Sequence, residues 1–418
     1  MNSPVWHPFA QHALGSEFPE VVRTEGAYLH TRDGRRVLDA ICSWWVITHG
    51  HRHPTIVEAV RRQVERLDQV IFAEFTHEPA EALARGLLEV LPPGLSHIFY
   101  SDSGSTSVEV ALKMALGCWH HRGQPRTRFL VLEHGYHGDT VGTMSVGARG
   151  VFTSAYEPLL FQVDRLPFPA AGRESATLDA LERACRAPDT AALLLEPLVL
   201  GAGGMLMYSA ATLQRMHEIC AAHRVLFIAD EVMTGWGRTG TRFACEQAGI
   251  FPDILCSSKG LTGGLLPLAI TACRPAIFDA HYSTDRERTF WHSSSFTANP
   301  IACAAALANL EVWKCEPVAE RIATLSRWQA EELRPLRDHA RVRGARQCGT
   351  LTALELASAD AGYLASVGPR LHAFFRARNL LLRPLGNTLY VMPPYCITRA
   401  ELRGLYETIL EAVDTLEC

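Results

Sequence analysis

Five short apolar runs, at 96–100, 129–132, 191–195, 225–229 and 251–256, recur along the chain with helical stretches between them. Their apolarity is continuous rather than alternating, so each run is predicted to be a strand buried on both faces. Strands of that kind, spaced by helices, imply an α/β fold built on a mostly parallel sheet covered by helices. A helix is expected over 106–120, another over 302–312, and an amphipathic one over 318–333 that stops before Pro335. Residues 1–50 read as strands and turns, with Asp33-Gly34 as a hairpin turn between 26–29 and 36–40. The stretch 349–356 reads as a strand of a smaller unit.

At 418 residues the chain exceeds one small domain. The expected division is an N-terminal segment, 1–50, packing with the small domain, a large domain over 51–313, and a small C-terminal α/β domain over 314–418. A net charge of −4 without a separate Lys/Arg cluster argues against a nucleic-acid partner. No apolar stretch reaches the ~20 residues of a membrane span, and the start lacks a signal-peptide pattern. The twelve cysteines are scattered singly with no CxxC pair, which suits reduced, buried thiols in a cytoplasmic protein. No group of histidines, cysteines and acids has metal-ligand spacing, so no metal is expected.

Lysine is scarce. Lys113, Lys259 and Lys314 are the only three, against a large excess of arginine, which cannot be deprotonated in proteins. Lys259 follows an apolar run and stands among small residues, Ser257-Ser258-Lys259-Gly260, with no bulky sequence neighbour to shield its amine. Such a lysine can condense with an aldehyde; it can equally be an ordinary loop lysine in an arginine-rich chain. Asp102-Ser103-Gly104-Ser105-Thr106, between a strand and a helix, offers backbone N–H groups and hydroxyls to a phosphate, or is a plain N-cap. Asp230 ends the apolar run 225–229, where a carboxylate is costly to bury unless it meets a cation, or else caps the next turn. Gly135-Tyr136-His137-Gly138 lets an aromatic face approach a flat ligand, or is a turn with core aromatics. A phosphate cradle, an aromatic platform, an acidic strand end and a lysine 29 residues beyond it are together what pyridoxal 5′-phosphate (PLP) requires.

The run Asp230-Glu231-Val232-Met233-Thr234-Gly235-Trp236-Gly237-Arg238-Thr239-Gly240, then Pro252-Asp253-Ile254 and Ser258-Lys259-Gly260-Leu261-Thr262-Gly263-Gly264, resembles the signature of class III aminotransferases of PLP fold type I. The resemblance extends through Glu196-Pro197 and Asn299-Pro300. It implies a PLP-dependent homodimeric enzyme with shared active sites. Trp6-His7-Pro8-Phe9, Ser43-Trp44-Trp45, Gly201-Ala202-Gly203-Gly204-Met205 and Arg383-Pro384-Leu385-Gly386 with Tyr390-Val391-Met392-Pro393-Pro394-Tyr395 are similar to one branch of that class. Its members aminate 8-amino-7-oxononanoate to 7,8-diaminononanoate in biotin biosynthesis, with S-adenosylmethionine as the usual donor and lysine in some relatives.

By that resemblance Lys259 binds the cofactor covalently and moves the proton, Asp230 pairs with the pyridine nitrogen, and Tyr136 stacks on the ring. Gly104, Ser105, Val232 and Ser294 contact the cofactor, and Ser295 reaches the phosphate of the neighbouring subunit's cofactor. Phe9, Trp44, Trp45, Asp139, Arg238, Gly264, Arg383 and Tyr390 are the implied substrate contacts, Arg383 binding the far carboxylate. Three positions depart from the branch: Phe9 where many members have Tyr, Leu200 in place of a polar residue, and Leu385 in place of an aromatic. They leave open a related ω-amino acid transaminase with another acceptor. A catalytically silent member of the fold is the third alternative, against which the retention of Lys259, Asp230 and the phosphate loop together argues.

Overall fold

The computed structural model describes residues 4–15, 18–358 and 360–416. Its centre is a seven-stranded sheet in the spatial order His97–Ser101, Ala269–Cys273, Ile254–Ser257, Leu226–Asp230, Thr190–Leu195, Arg128–Leu132, Asp164–Leu166. The last five run parallel, while Ala269–Cys273 pairs antiparallel with both of its neighbours. Every residue of Thr190–Leu195 and of Leu226–Asp230 is buried, as continuous apolar strands between two helical layers must be.

The helix Gly104–His121 starts two residues before the expected one. Ser103 and Thr106 form a reciprocal capping box that pulls the start back to Gly104. The helix Pro300–Cys315 is capped by Asn299, whose side-chain oxygen accepts from the N–H groups of Ile301 and Ala302. The helix beginning at Val318 does not stop before Pro335; it runs to Arg337 with the proline inside. Proline there forfeits one bond of the last turn, and the buried anchors Leu333 and Leu336 on either side hold the turn regardless. The expected strand at 349–356 begins only at Leu351. Gly349 instead turns the chain at φ +57°, where a Cβ would lie 2.2 Å from the backbone of Thr239 and Gly240.

Two smaller sheets complete the layers. Val342–Cys348, Leu351–Leu356 and Thr388–Val391 form an antiparallel sheet. Val21–Glu25, Tyr28–Thr31 and Arg36–Asp39 form a meander, joined in parallel by Leu380–Leu381 from near the other end of the chain. That pairing matters for function, because it brings Asp39 and the residues after it beside Arg383. The eleven cysteines among the described residues are all free thiols, eight of them buried. Among the described residues no helix is long and apolar enough to cross a membrane.

Candidate active site

The parallel strands all point their carboxyl ends at one edge of the large sheet, the edge where α/β proteins place ligands. Glu196 follows Thr190–Leu195, Asp230 ends Leu226–Asp230, Tyr136 and His137 lie just past Arg128–Leu132, and Lys259 lies two residues past Ile254–Ser257. These side chains line one cavity of about 400 Å³. Gly104 and Ser105, first residues of the helix Gly104–His121, also line it. First-turn N–H groups have no acceptor within the helix, so they are donors for an anion.

Space here is tight. A Cβ on Gly104 would sit 2.6 Å from Val232 Cγ1, and one on Gly138, at φ +133°, would sit 2.0 Å from the Ser105 hydroxyl. The cradle therefore accepts a flat group close to backbone and rejects a larger residue at either glycine.

The Asp230 carboxylate is 3 % exposed. One oxygen hydrogen-bonds His137 Nδ1 at 2.7 Å and the other accepts from the Val232 N–H at 3.1 Å. Glu196, also buried, accepts from the N–H of Tyr136 at 3.0 Å and of Gly201 at 2.9 Å. Burial pushes its carboxyl up to about 7, with His137 opposing and Asp230 adding to the rise. Lys259 is half-buried, on a backbone at φ +47°, and its amine lies 4.8 Å from the centre of the Trp45 ring. The expectation of an amine without a bulky neighbour is therefore corrected: its shield comes from 214 positions upstream. Desolvation drags the amine down to about 8, against the opposing pull of Asp230 and Glu196. A lysine that is substantially neutral near pH 8 is a nucleophile and a proton carrier.

The far half of the cavity is aromatic. Cys42, Ser43 and Trp45 all hold positive φ angles, 55°, 57° and 66°. Each such residue costs on the order of 1–3 kcal/mol unless its surroundings enforce it. The enforcer is the buried Asp39 carboxylate, which accepts from the Ile41 N–H, from the N–H and hydroxyl of Ser43, and hydrogen-bonds His51. The result puts Trp45 edge-on to Tyr390, whose hydroxyl accepts from the indole at 2.9 Å, and leaves Trp44 46 % exposed toward the cavity. The guanidinium of Arg383 lies 5.3 Å from the Trp44 ring and 5.9 Å from the Phe9 ring, and donates to the Phe9 carbonyl.

The structure thus brings Phe9, Trp44, Trp45, Gly104, Ser105, Tyr136, Asp139, Asp230, Val232, Lys259, Arg383 and Tyr390 into one wall. Four expected site residues lie elsewhere. Arg238 is 1 % exposed beneath that wall and donates to the carbonyls of Trp45, Ile47 and Pro393 and to the Cys42 sulfur, so its guanidinium is spent on backbone. Gly264, at φ +90°, is where the 46–47 backbone passes so closely that a Cβ would meet the Val46 carbonyl at 2.5 Å. Ser294 bonds the Asp102 carboxylate, and the Ser295 carbonyl accepts from Gln69. Neither serine lines the cavity of its own chain. Of the three departures, Phe9 and Leu385 line the cavity, while Leu200 is buried in the hairpin with Leu206.

Sequence reasoning missed His137, Glu196, Phe152 and Tyr363 as cavity residues. The buried Asp230 demands a partner, and His137 beside Tyr136 was the available signal for it. Phe152 and Tyr363 are isolated loop aromatics with none.

The family model described as aminotransferase class-III matches residues 12–413. A protein of Synechococcus elongatus named adenosylmethionine-8-amino-7-oxononanoate aminotransferase is 47% identical over 99% of each chain. The crystal structure of a protein of that name from Methanocaldococcus jannaschii superposes with a TM-score of 0.95 at 32% identity, covering 99% of this chain and 98% of that one. An amine transaminase from an uncultivated Pseudomonas species, solved in its PLP-bound form, gives a TM-score of 0.92 at 32% identity over 99% and 98%.

Proposed function

The chain belongs to the class III aminotransferases, and we propose that it transfers an amino group to 8-amino-7-oxononanoate, forming 7,8-diaminononanoate in biotin biosynthesis, with S-adenosylmethionine as donor. The observation carrying this reading is the polarity of one cavity: at one end a lysine amine whose pKa desolvation lowers to about 8, and at the other a guanidinium among aromatic faces. That layout suits a carbonyl joined to a carboxylate by an apolar chain. Full-length likeness to proteins that carry the activity in their names supports it.

Pyridoxal phosphate is the cofactor of the family, and the glycine cradle, the buried Asp230 and the half-buried amine fit it. When bound, it supplies an electron sink and a carrier for the amino nitrogen. Lys259 would hold it covalently and exchange protons at Nζ. Asp230, anchored by His137, would hold the pyridine N–H, and Tyr136 would cover the ring face. Gly104 and Ser105 would receive the phosphate on first-turn N–H groups. Arg383 would pair with the acceptor carboxylate, giving up its bond to the Phe9 carbonyl, while Trp44, Trp45 and Tyr390 exclude water along the chain. Arg238 and Gly264 would act from beneath, by fixing the segment that carries both tryptophans.

The same reading includes a cytoplasmic homodimer. Ile71, Phe75, Trp291 and Phe296 are each about 60 % exposed or more, and the segments bearing them are tied by the Gln69–Ser295 bond. A second copy covering that apolar face would bring its own Ser294 and Ser295 segment toward this cradle. The 51–313 and 314–418 division, with 1–50 on the small unit, is retained as part of the proposal; the strand pairing of Arg36–Asp39 with Leu380–Leu381 supports it.

The deciding assay incubates the purified protein with 8-amino-7-oxononanoate and either S-adenosylmethionine or lysine. Diaminononanoate should form with S-adenosylmethionine; a preference for lysine would change the donor alone. No amination of the keto-acid, alongside reaction of β-alanine or GABA with pyruvate, would overturn the assignment. A second expected outcome concerns pH. Only the neutral amine attacks an aldehyde, so uptake of pyridoxal phosphate by the apoprotein should accelerate as pH rises through about 8 and level off above it. A midpoint near the ordinary lysine value of about 10.4 would remove the claim that burial activates Lys259.

A further inference from the structure

Among the cavity residues without a role in the reading above are two aromatic ones, Phe152 and Tyr363. They come from segments far apart in the chain. Phe152 sits on a tight turn after the helix Val141–Val146, and Tyr363 on the loop before the helix Val367–Ala377. Their rings meet edge to face at 4.5 Å. Phe152 also meets Phe9 at 6.0 Å, and Phe9 meets Trp44 at 5.5 Å. Trp44, Phe9, Phe152 and Tyr363 thus form an unbroken run of rings along the half of the cavity that ends at Arg383. Phe9, Trp44 and Phe152 keep 48, 46 and 38 % of their surface exposed.

Both ends of the Phe152–Tyr363 contact are held firmly. The Thr153 hydroxyl accepts from the Gly150 N–H, and the Gly150 carbonyl accepts from the N–H groups of Thr153 and Ser154. On the other side, the buried Asn387 accepts from the Gly362 N–H and donates to the Leu356 carbonyl. Gly386, at φ +62°, lets the Gly362 carbonyl approach so closely that a Cβ would lie 1.7 Å from it. Tyr363 is therefore docked on the same stretch, 383–387, that carries Arg383 and Leu385. Arg383 and Tyr363 therefore share one braced stretch, which fixes the spacing between the carboxylate anchor and the Tyr363 ring.

We propose that the Phe152–Tyr363 ring pair forms a side wall that selects the acceptor by the length of its apolar chain. This rests on the reading above, in which a keto-acid is anchored by its carboxylate at Arg383. A chain of the right length lies along the run of rings, covers their exposed surface and brings its carbonyl to Lys259. A shorter one, anchored at the same guanidinium, leaves ring surface wet and its carbonyl out of reach. Phe152 and Tyr363 are specificity residues: they contact the chain and take no part in proton transfer.

The test compares kcat/KM for 8-amino-7-oxononanoate with that for a homologue two methylenes shorter. A methylene in an apolar pocket is worth tenfold or more in discrimination, so Phe152→Ala and Tyr363→Ala should each lower the long-to-short ratio by about tenfold. Tyr363→Phe, which keeps the ring, should restore it. Retention of the cofactor's visible absorbance in each variant separates loss of selectivity from loss of fold. A ratio within twofold of the original in both alanine variants overturns the selecting wall while leaving the function standing. Failure of the unaltered protein to aminate either acid overturns both.

Discussion

Lys259→Ala should abolish the borohydride-stable attachment of pyridoxal phosphate and lower transamination by at least about 10³-fold, combining the loss of a nucleophile with that of a proton carrier. The measurement is peptide mapping after reduction of the holoprotein, paired with the steady-state rate. Lys113→Arg is the control. The Lys113 amine donates to the Trp291 carbonyl 2.5 Å away, outside the cavity, and arginine retains that donor. Label found on Lys113 or Lys314 in the unaltered protein, or activity of the alanine variant within tenfold of it, would end the assignment. The expectation is physical as well as familial. Of the three lysines, Lys259 alone lines the cavity, together with the buried carboxylates of Asp230 and Glu196, and desolvation lowers its pKa to about 8.

Arg238→Ala should act on the fold before it acts on chemistry. Its guanidinium donates to three backbone carbonyls and one thiol from a fully buried position. Truncation strands those acceptors away from water, at about 1–3 kcal/mol each when uncompensated, so a total loss of about 3–5 kcal/mol is expected. At roughly 2 cal/mol/K of unfolding entropy per residue, that is about 3–6 °C of Tm for a chain of this length. Activity should fall in step with the loss of order in 42–47, and the values of KM for donor and acceptor should rise together. A variant of undiminished Tm whose acceptor KM alone rises would return Arg238 to the substrate-contact role that the sequence resemblance implied.

The two arginines show what could be read early and what could not. Arg238 and Arg383 both sit in motifs shared with the family, and nothing in the residues themselves separates a guanidinium that meets a ligand from one that holds a loop. The separation depends on where Cys42–Trp45 turns, and that turn is set by Asp39 through bonds to its neighbours and to His51. Likewise Lys259 reads as unshielded because its neighbours in sequence are small, yet Trp45 stands over it. Local composition describes the near neighbours of an amine and is silent about a ring that folding delivers from another segment.

The helix through Pro335 makes the same point for secondary structure. A proline is a sound local stop signal, but it costs one hydrogen bond of the final turn, and buried leucines on both sides outweigh it.

Continuous apolar runs were enough to define a parallel-sheet fold, the Asp230 and Lys259 motifs with the cradle glycines pointed together to the cofactor, and the resemblance those motifs carry gave the family. Each is a local pattern whose physical demand does not depend on distant residues. Tertiary structure alone decided that Arg238 bonds the backbone of the 45–47 segment, that His137 partners Asp230, and that Phe152 meets Tyr363. Those outcomes depend on contacts between segments far apart in the chain, and the closing of one segment on another leaves no periodicity or spacing in the residues that make it.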